Sequence, residues 1–477
     1  MTLRFDPEGI ERFKVEIRGI PGYPEGEDLP IREMIFESGA LWRLPDLLLV
    51  AGMKADQPLS IVMDRTSMQR EGVDLKSLIL EQLRNAGWQV DVIWLEADNT
   101  GQVHTDFSQI NYVKSRLQSN SGVLSVGSGT VTDIAKHACH VYQQENAIAP
   151  LPFVVYQTAN SVSAYTSNMA PTFVDGVKRT LPSRYPDVLV CDLETLRDAP
   201  QAMTVAGVGD LLASFGSYAD WWLAYRLGLD NSYTEFAQTL MGPLDEIFLE
   251  QADAIKAGTL ESTSVLAKLI ALAGLAMSLS HATAPLSGYE HVMSHVLDLI
   301  AEQAQRPLAQ HGSQVALATR LTTSAYQIFL DEFEPEEVNL KHCYPTESQM
   351  RARLEESFNS LDRSGRVAEE CWTEYKIKLE AWHAQRAGFE DALRHWPDIR
   401  TQLRGLAKPP ELTTRILRAV AAPMSFAELT PPPSAAEVRF AFTNAPLIRH
   451  RFTLGDMFVF LNWEQETLWT QVNENLF

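Results

Sequence analysis

The sequence predicts a chain of two classes, an α/β part over residues 1–200 followed by an all-helical part over residues 201–477. Two observations carry this expectation. From Leu47 to about Asn160, short apolar runs alternate with amphipathic stretches of helical length, the rhythm of strands joined by crossover helices. From about Ala202 to Gly405, strand-like runs nearly vanish in favour of long segments with a 3.6-residue period.

Taken in order, the N-terminus MTLRFDPEGIERFKVEIRG alternates charged with apolar residues, which is not the pattern of a secretory signal. After the polar lead PGYPEGEDLP, the expected elements begin with strands at LLLVAG near Leu47 and SIVMD from Ser60. A helix over Leu75 to Asn85, a strand from Trp88 and a helix over Phe107 to Leu117 follow, then a strand from Gly122, a helix from Thr130 and a strand from Phe153. Such a sheet is largely parallel and covered on both faces, and its ligands bind at the carboxyl ends of the strands. LIALAGLAM, Leu269 to Met277, is the most apolar helical run, too short at nine residues to cross a bilayer and suited to a buried core. Gly365 to Trp396 predicts one charged amphipathic helix that buries Trp372, Leu379 and Trp382. PPELTTRIL and FAELTPPPSAAEV read as proline-punctuated connections.

The length of 477 residues allows two substantial cores. A formal charge of −21, with no run of lysine and arginine, argues against a nucleic-acid partner, and no segment suggests a membrane anchor. Cys139, Cys191, Cys343 and Cys371 lack CxxC spacing, so neither a zinc knuckle nor a disulfide framework is expected, and a reducing cytoplasm suits them.

Four stretches carry chemistry. In LSVGSGTVTDIAKHA, a strand, a tight glycine turn and a helix start succeed one another. Gly127 and Gly129 let backbone approach a ligand, and the amides and dipole of the helix start favour an anion such as pyrophosphate. Thr132 stands where a Rossmann fingerprint has its third glycine, and no GK[ST] follows, so a plain βα turn remains the alternative. Asp64, at the end of SIVMD, suits ribose hydroxyls. YQTANSVSAYTSN places Thr158, Ser161, Ser163 and Ser167 at the same sheet edge, as ligand contacts or as simple turn residues. In AGVGDLLASF, Asp210 is expected at a helix start after two glycines, either as an N-cap or as a metal ligand. Finally, three of the eleven histidines fall between His291 and His311. His291 and His295 are spaced to share one helix face, and His311, after Pro307, opens a new helix. Two imidazoles and a carboxylate make a catalytic metal set, while a polar helix face is the plainer reading.

These motifs, in this order, resemble the superfamily of metal-dependent polyol dehydrogenases (iron-containing alcohol dehydrogenases) and dehydroquinate synthases. The resemblance is greatest to the sn-glycerol-1-phosphate dehydrogenases of the bacterial arabinose-operon type. It runs from about Leu44 onward and includes DGVKRT from Asp175, DLETLRDAPQAMTVAGVGDLLA from Asp192, EYKIKLEAWH and RHRFTLGDMFVFLNW from Arg449. It implies a dehydroquinate synthase-like fold, with an α/β dinucleotide domain over 1–200 and a helical metal and substrate domain over 201–477. It implies one divalent metal, zinc, nickel or iron, on Asp210, His291 and His311, and NAD or NADP on Asp64, Gly127, Ser128, Gly129, Thr130, Asp133, Thr158, Ser161 and Ser167. His295 and Asp210 become the catalytic residues, with Ser163, Asp210 and His295 at a small phosphorylated substrate, in a cytoplasmic homodimer. One departure stands out: relatives have SxDG, with an aspartate on the substrate, where this chain has Ser163 and Ala164.

The reaction implied is reduction of a ketose phosphate such as dihydroxyacetone phosphate to sn-glycerol 1-phosphate, with the metal as Lewis acid and His295 bonding the substrate oxygen or relaying a proton. A sugar phosphate cyclase, a dehydrogenase of an unphosphorylated polyol and a non-catalytic binding protein are the rival expectations.

Overall fold

The computed structural model describes residues 3–474. They form two compact units, each built from separate stretches of chain. The first comprises the residues up to Val174, Lys178–Leu211 and Glu235–Leu279; the second comprises Asp175–Val177, Leu212–Thr234 and the chain from Ser280 onward.

At the centre of the first unit is a six-stranded sheet, all parallel, in the spatial order Glu33–Glu37, Val188–Asp192, Phe153–Gln157, Gly122–Gly127, Pro58–Met63, Gln89–Trp94. Alternate residues of its strands, Ile61 and Met63, Leu124 and Val126, Val154 and Tyr156, Val188 and Val190, join one core cluster with Leu44, Leu47 and Leu48 and with Leu75, Ile79 and Leu83. The latter two sets belong to the helices Leu44–Val50 and Leu75–Asn85, whose spacings of three and four residues lay one stripe on the sheet.

One local expectation changes. The run near Leu47 is a helix, because Leu44, Leu47 and Leu48 must face the sheet together, which a strand's alternation forbids. The edge strand is instead the shorter EMIFE, Glu33–Glu37, whose Met34, Ile35 and Phe36 are buried. The charged N-terminal stretch is also a helix, Ile10–Arg18, burying Ile10, Phe13 and Ile17.

The apolar run at Leu269 is part of a longer helix, Leu260–Leu279, which by length and composition alone is sufficient to cross a membrane. Of its most apolar 18-residue window, 83% is buried inside the protein. Apolar on all sides, it needs neighbours on all sides, and it packs on the strand Glu33–Glu37 and the helices Leu193–Asp198, Phe236–Met241 and Leu244–Ala257.

A buried ionic knot ties the loops of this unit. Arg70 donates to Asp192 at 2.8 Å and to Glu194 at 3.0 Å, while Asp192 also accepts from the amides of Leu41 and Thr195 at 2.9 Å.

The second unit is helical. Tyr289–Gln303 and His311–Glu332 pack on one another in a core that also takes Trp382, Phe458 and Phe460. The stretch expected as one helix, Gly365 to Trp396, is two, Arg366–Ala384 and Arg386–Arg394, and a third, Trp396–Leu406, begins at its last residue. Its first segment buries Trp372, Leu379 and Trp382 as expected. Part of PPELTTRIL is likewise helical, Pro410–Ala419, because proline is tolerated in a first helical turn. All four cysteines are buried, and none is joined in a disulfide.

Candidate active site

The order of the sheet reverses beside Pro58–Met63: the chain leaves it outward to Gln89–Trp94, then returns to its other side at Gly122–Gly127. Crevices at such reversals, outside the carboxyl ends of the strands, are where parallel sheets hold ligands. The register, Met63 opposite Val126 and Gly127 opposite Gln157, brings Asp64, the glycine turn and Thr158 to that end on three adjacent strands. The Thr158 amide donates to the Gly127 carbonyl at 3.3 Å.

Helix Gly129–Asn146 begins here, with Ser128 and Thr130 partly exposed and no side chain capping its first turn. Its leading amides lack intrahelical acceptors, and the helix dipole makes the position positive. The missing Cβ atoms serve the protein's own packing: one built on Gly127 would stand 2.5 Å from Val131, and one on Gly129 would stand 2.4 Å from Val162. The glycines therefore let the Thr158–Ser167 loop and the helix close over the turn, where the sequence suggested room for a ligand.

The charged groups of this corner are engaged with lysines that the sequence reading passed over. Lys76 donates to the Asp64 carboxylate at 2.8 Å, and the Thr66 hydroxyl donates to it at 2.6 Å. Fully buried Lys136 pairs with Asp133 at 2.8 Å and donates to the Ala164 carbonyl at 2.9 Å and to the Ser167 hydroxyl at 3.4 Å. Burial pushes the Asp133 carboxyl above its usual range, and Lys136 pulls it back. The Ser161 hydroxyl lies 3.4 Å from that of Tyr165. The signal for Lys136 was its i, i+3 spacing from Asp133 on one helix.

Asp210 is not at a helix start. It lies in the last turn of Gln201–Leu212, and its preceding glycines are inside the helix. Gly207 lets the helix approach the Asn160 carbonyl, which would lie 2.0 Å from an added Cβ. The Asp210 carboxylate is buried, and its Oδ2 accepts both from the Ser163 amide at 3.1 Å and from the Ser163 hydroxyl at 3.3 Å. Ser163, where relatives carry the aspartate, thus grips another carboxylate.

In the second unit the three imidazoles come together. His291 and His295 lie one turn apart on Tyr289–Gln303, their ring centres 6.3 Å apart, and His311 opens the following helix. The His311 ring centre is 5.2 Å from that of His291 and 5.8 Å from that of His295, with the latter pair stacked. His291 and His295 are buried. Each ring has a neighbour that spacing alone did not flag: Glu290 at 3.2 Å from His291 Nδ1, Ser294 at 3.1 Å from His311 Nδ1, and Arg449 at 3.2 Å from His295 Nδ1.

Residues 35–200 match the family described as iron-containing alcohol dehydrogenase. Over 288 residues the chain is 30% identical to a glycerol-1-phosphate dehydrogenase (NAD(P)+) of Bacillus subtilis (strain 168), covering 59% of this chain and 70% of that protein. The chain belongs to the iron-containing alcohol dehydrogenase family. It is therefore an oxidoreductase. A namesake in Haloarcula marismortui is 32% identical to this dehydrogenase over 200 residues, 42% of this chain and 53% of that one. Among solved structures, a probable glycerol dehydrogenase from Sinorhizobium meliloti 1021 matches with a TM-score of 0.53 at 17% identity, covering 93% of this chain and 98% of that one. A 1,3-propanediol oxidoreductase matches with a TM-score of 0.54 at 15% identity, covering 93% and 97%. The fold of this dehydrogenase, a parallel α/β part and a helical part, is the one the resemblance implied.

Proposed function

We propose that this dehydrogenase interconverts dihydroxyacetone phosphate and sn-glycerol 1-phosphate, or a closely related polyol phosphate, using NAD or NADP and one divalent metal. The observation that carries the reading is the imidazole cluster of His291, His295 and His311 in a chain whose relatives bear that enzyme's name. The proposed ligands are Asp210, His291 and His311. One carboxylate and two imidazoles form a donor set that zinc, nickel or iron takes while keeping a position open for substrate. When bound, the metal supplies Lewis acidity toward the substrate carbonyl. His295 is proposed to hydrogen-bond the same oxygen, and Ser163 to orient Asp210 while it borders the substrate.

For the nucleotide, the amides at Ser128, Gly129 and Thr130 suit the pyrophosphate, the strand end at Asp64 suits a ribose, and Thr158 and Ser161 border the turn. Asp133 and Ser167 contribute through Lys136, which holds the loop above Gly127 and Gly129. The proposal extends to a homodimer in a reducing cytoplasm. Buried cysteines with no disulfide between them support the second part, and light scattering tests the first.

The experiment is metal analysis of the purified protein together with a panel of phosphorylated and unphosphorylated ketones and polyols, followed by nicotinamide absorbance. The expected result is one bound metal and a kcat/KM for dihydroxyacetone phosphate at least about tenfold above that for dihydroxyacetone, the contribution of roughly one charge-assisted contact to the phosphate. Equal rates without phosphate would place the enzyme among dehydrogenases of unphosphorylated polyols. A cyclic product without net nicotinamide turnover would place it among the cyclases. Activity on glycerol 1-phosphate that is absent in wild type and appears in Ser163→Asp would mean that the natural substrate is another one.

A further inference from the structure

The three imidazoles have different partners at Nδ1, and the partners fix where each ring carries its proton. A guanidinium has five donors and no acceptor, so Arg449 Nη2, 3.2 Å from His295 Nδ1, meets a lone pair there. The neutral His295 ring then carries its proton on Nε2. At His291 the arrangement is reversed, because the Glu290 carboxylate only accepts: Nδ1, 3.2 Å from Glu290 Oε1, carries the proton. At His311 the same result comes by a relay. The Ser294 hydroxyl donates to Gln314 Oε1 at 2.8 Å, which leaves its lone pairs toward His311 Nδ1 at 3.1 Å, and Nδ1 is the donor. Two rings therefore present a lone pair at Nε2 and the third presents an N–H.

We propose that this pattern divides the work of the cluster: His291 and His311 are tautomers fit to ligate a metal through Nε2, whereas Arg449 holds His295 as the Nε2–H tautomer, which bars it from ligation and makes it a hydrogen-bond donor to the substrate oxygen. The inference rests on the metal-dependent reading above and adds a positioning residue to it. Arg449 is far from His295 in sequence and reaches it from the segment RHRFTLGD. A lysine there keeps the donor without an acceptor; a methionine removes the constraint. Ligand histidines commonly have their tautomer fixed by such an outer partner, and losing the partner lowers activity or metal affinity by roughly 10–100-fold.

The test uses protein labelled with 15N-histidine, in metal-free and zinc-loaded forms. Long-range proton–nitrogen spectra read which ring nitrogen carries a proton, and the signals lost in His295→Gln assign that ring. The expected result is an unprotonated Nδ1 for His295 in both forms, Nδ1–H for His291 and His311, and zinc moving only the Nε2 signals of the latter two. Arg449→Met should give a mixed His295 tautomer and a turnover roughly tenfold or more lower, with zinc stoichiometry and NADH affinity unchanged, and Arg449→Lys should recover most of the loss. A wild-type His295 carrying its proton on Nδ1 overturns the inference, as does zinc loss in Arg449→Met. Should wild type take up no zinc at all, the metal reading fails, while the His295 tautomer of the metal-free protein still decides Arg449's role. Should Arg449→Met not fold, the wild-type spectra alone decide.

Discussion

The glycine corner of the first unit and the imidazole cluster of the second are both polar, yet they present opposite parts of the chain. At the corner the charged side chains are engaged with one another, Asp64 with Lys76 and Asp133 with Lys136, and valines occupy the room beside the glycines. What it presents is backbone, the first amides of an 18-residue helix. In the cluster the backbone is closed in helices, and what is presented is side chain, three rings each held at Nδ1 by a different neighbour. A site made of backbone is broken by adding atoms; a site made of side chains is broken by removing them.

The sharpest test of that contrast is deletion in the cluster. His291→Ala or His311→Ala should abolish stoichiometric metal and remove several kcal/mol of charge stabilisation, roughly a thousandfold or more in turnover, while NADH fluorescence titration still reports binding. Full metal content in either variant would remove that histidine from the ligand set. Next in size is Lys136→Met, which leaves Asp133 buried without its partner and should cost about 3–5 kcal/mol in urea denaturation. Joining it with Asp133→Asn should restore most of that stability, and failure to do so would mean that Lys136 acts chiefly through Ala164 and Ser167.

Adding one methyl at the corner is the complementary experiment. Gly129→Ala places a Cβ against Val162 and should cost about 1–3 kcal/mol together with a weaker Kd for NADH, both relieved by Val162→Ala. A Gly129→Ala variant of unchanged stability would contradict the packing described. The smallest effect concerns acid. Burial, then His140 and Lys136, lowers the His137 pKa from 6.5 to about 4. Its unfolded form therefore binds the proton more readily, and the stability it contributes is whole above pH 6.5 and lost as pH falls toward 4. In His137→Phe the melting temperature should fall less steeply over that window, and an unchanged slope would assign the acid sensitivity elsewhere.

What could be read in advance was whatever is local along the chain. The spacing of His291 and His295, the helix opening at His311, the strand leading into Asp64 and the strand ending at Gly127 depend on near neighbours, and the structure places them as the spacing predicts. The misreadings have tertiary causes. Gly207 and Gly209 look like a turn, but Gly207 is small because the Asn160 carbonyl lies against its helix. Leu47 to Val50 look like a strand, but the sheet needs a leucine stripe there. Lys76 and Lys136 carry no reading in the sequence, and only the fold reveals them as buried counterions. Arg449 lies 154 positions from the ring it meets, beyond any sequence pattern.

The interleaving of the two units has a consequence for how the chain is made. A nascent chain that has emerged only as far as Leu211 carries the whole parallel sheet but none of Phe236–Met241, Leu244–Ala257 or Leu260–Leu279. The flank of Glu33–Glu37 then stays bare, and the 20-residue helix Leu260–Leu279 must still emerge before it is sheathed. Closure of the first unit therefore waits on translation well past its last strand, and an expression fragment trimmed at that strand would be expected to clump.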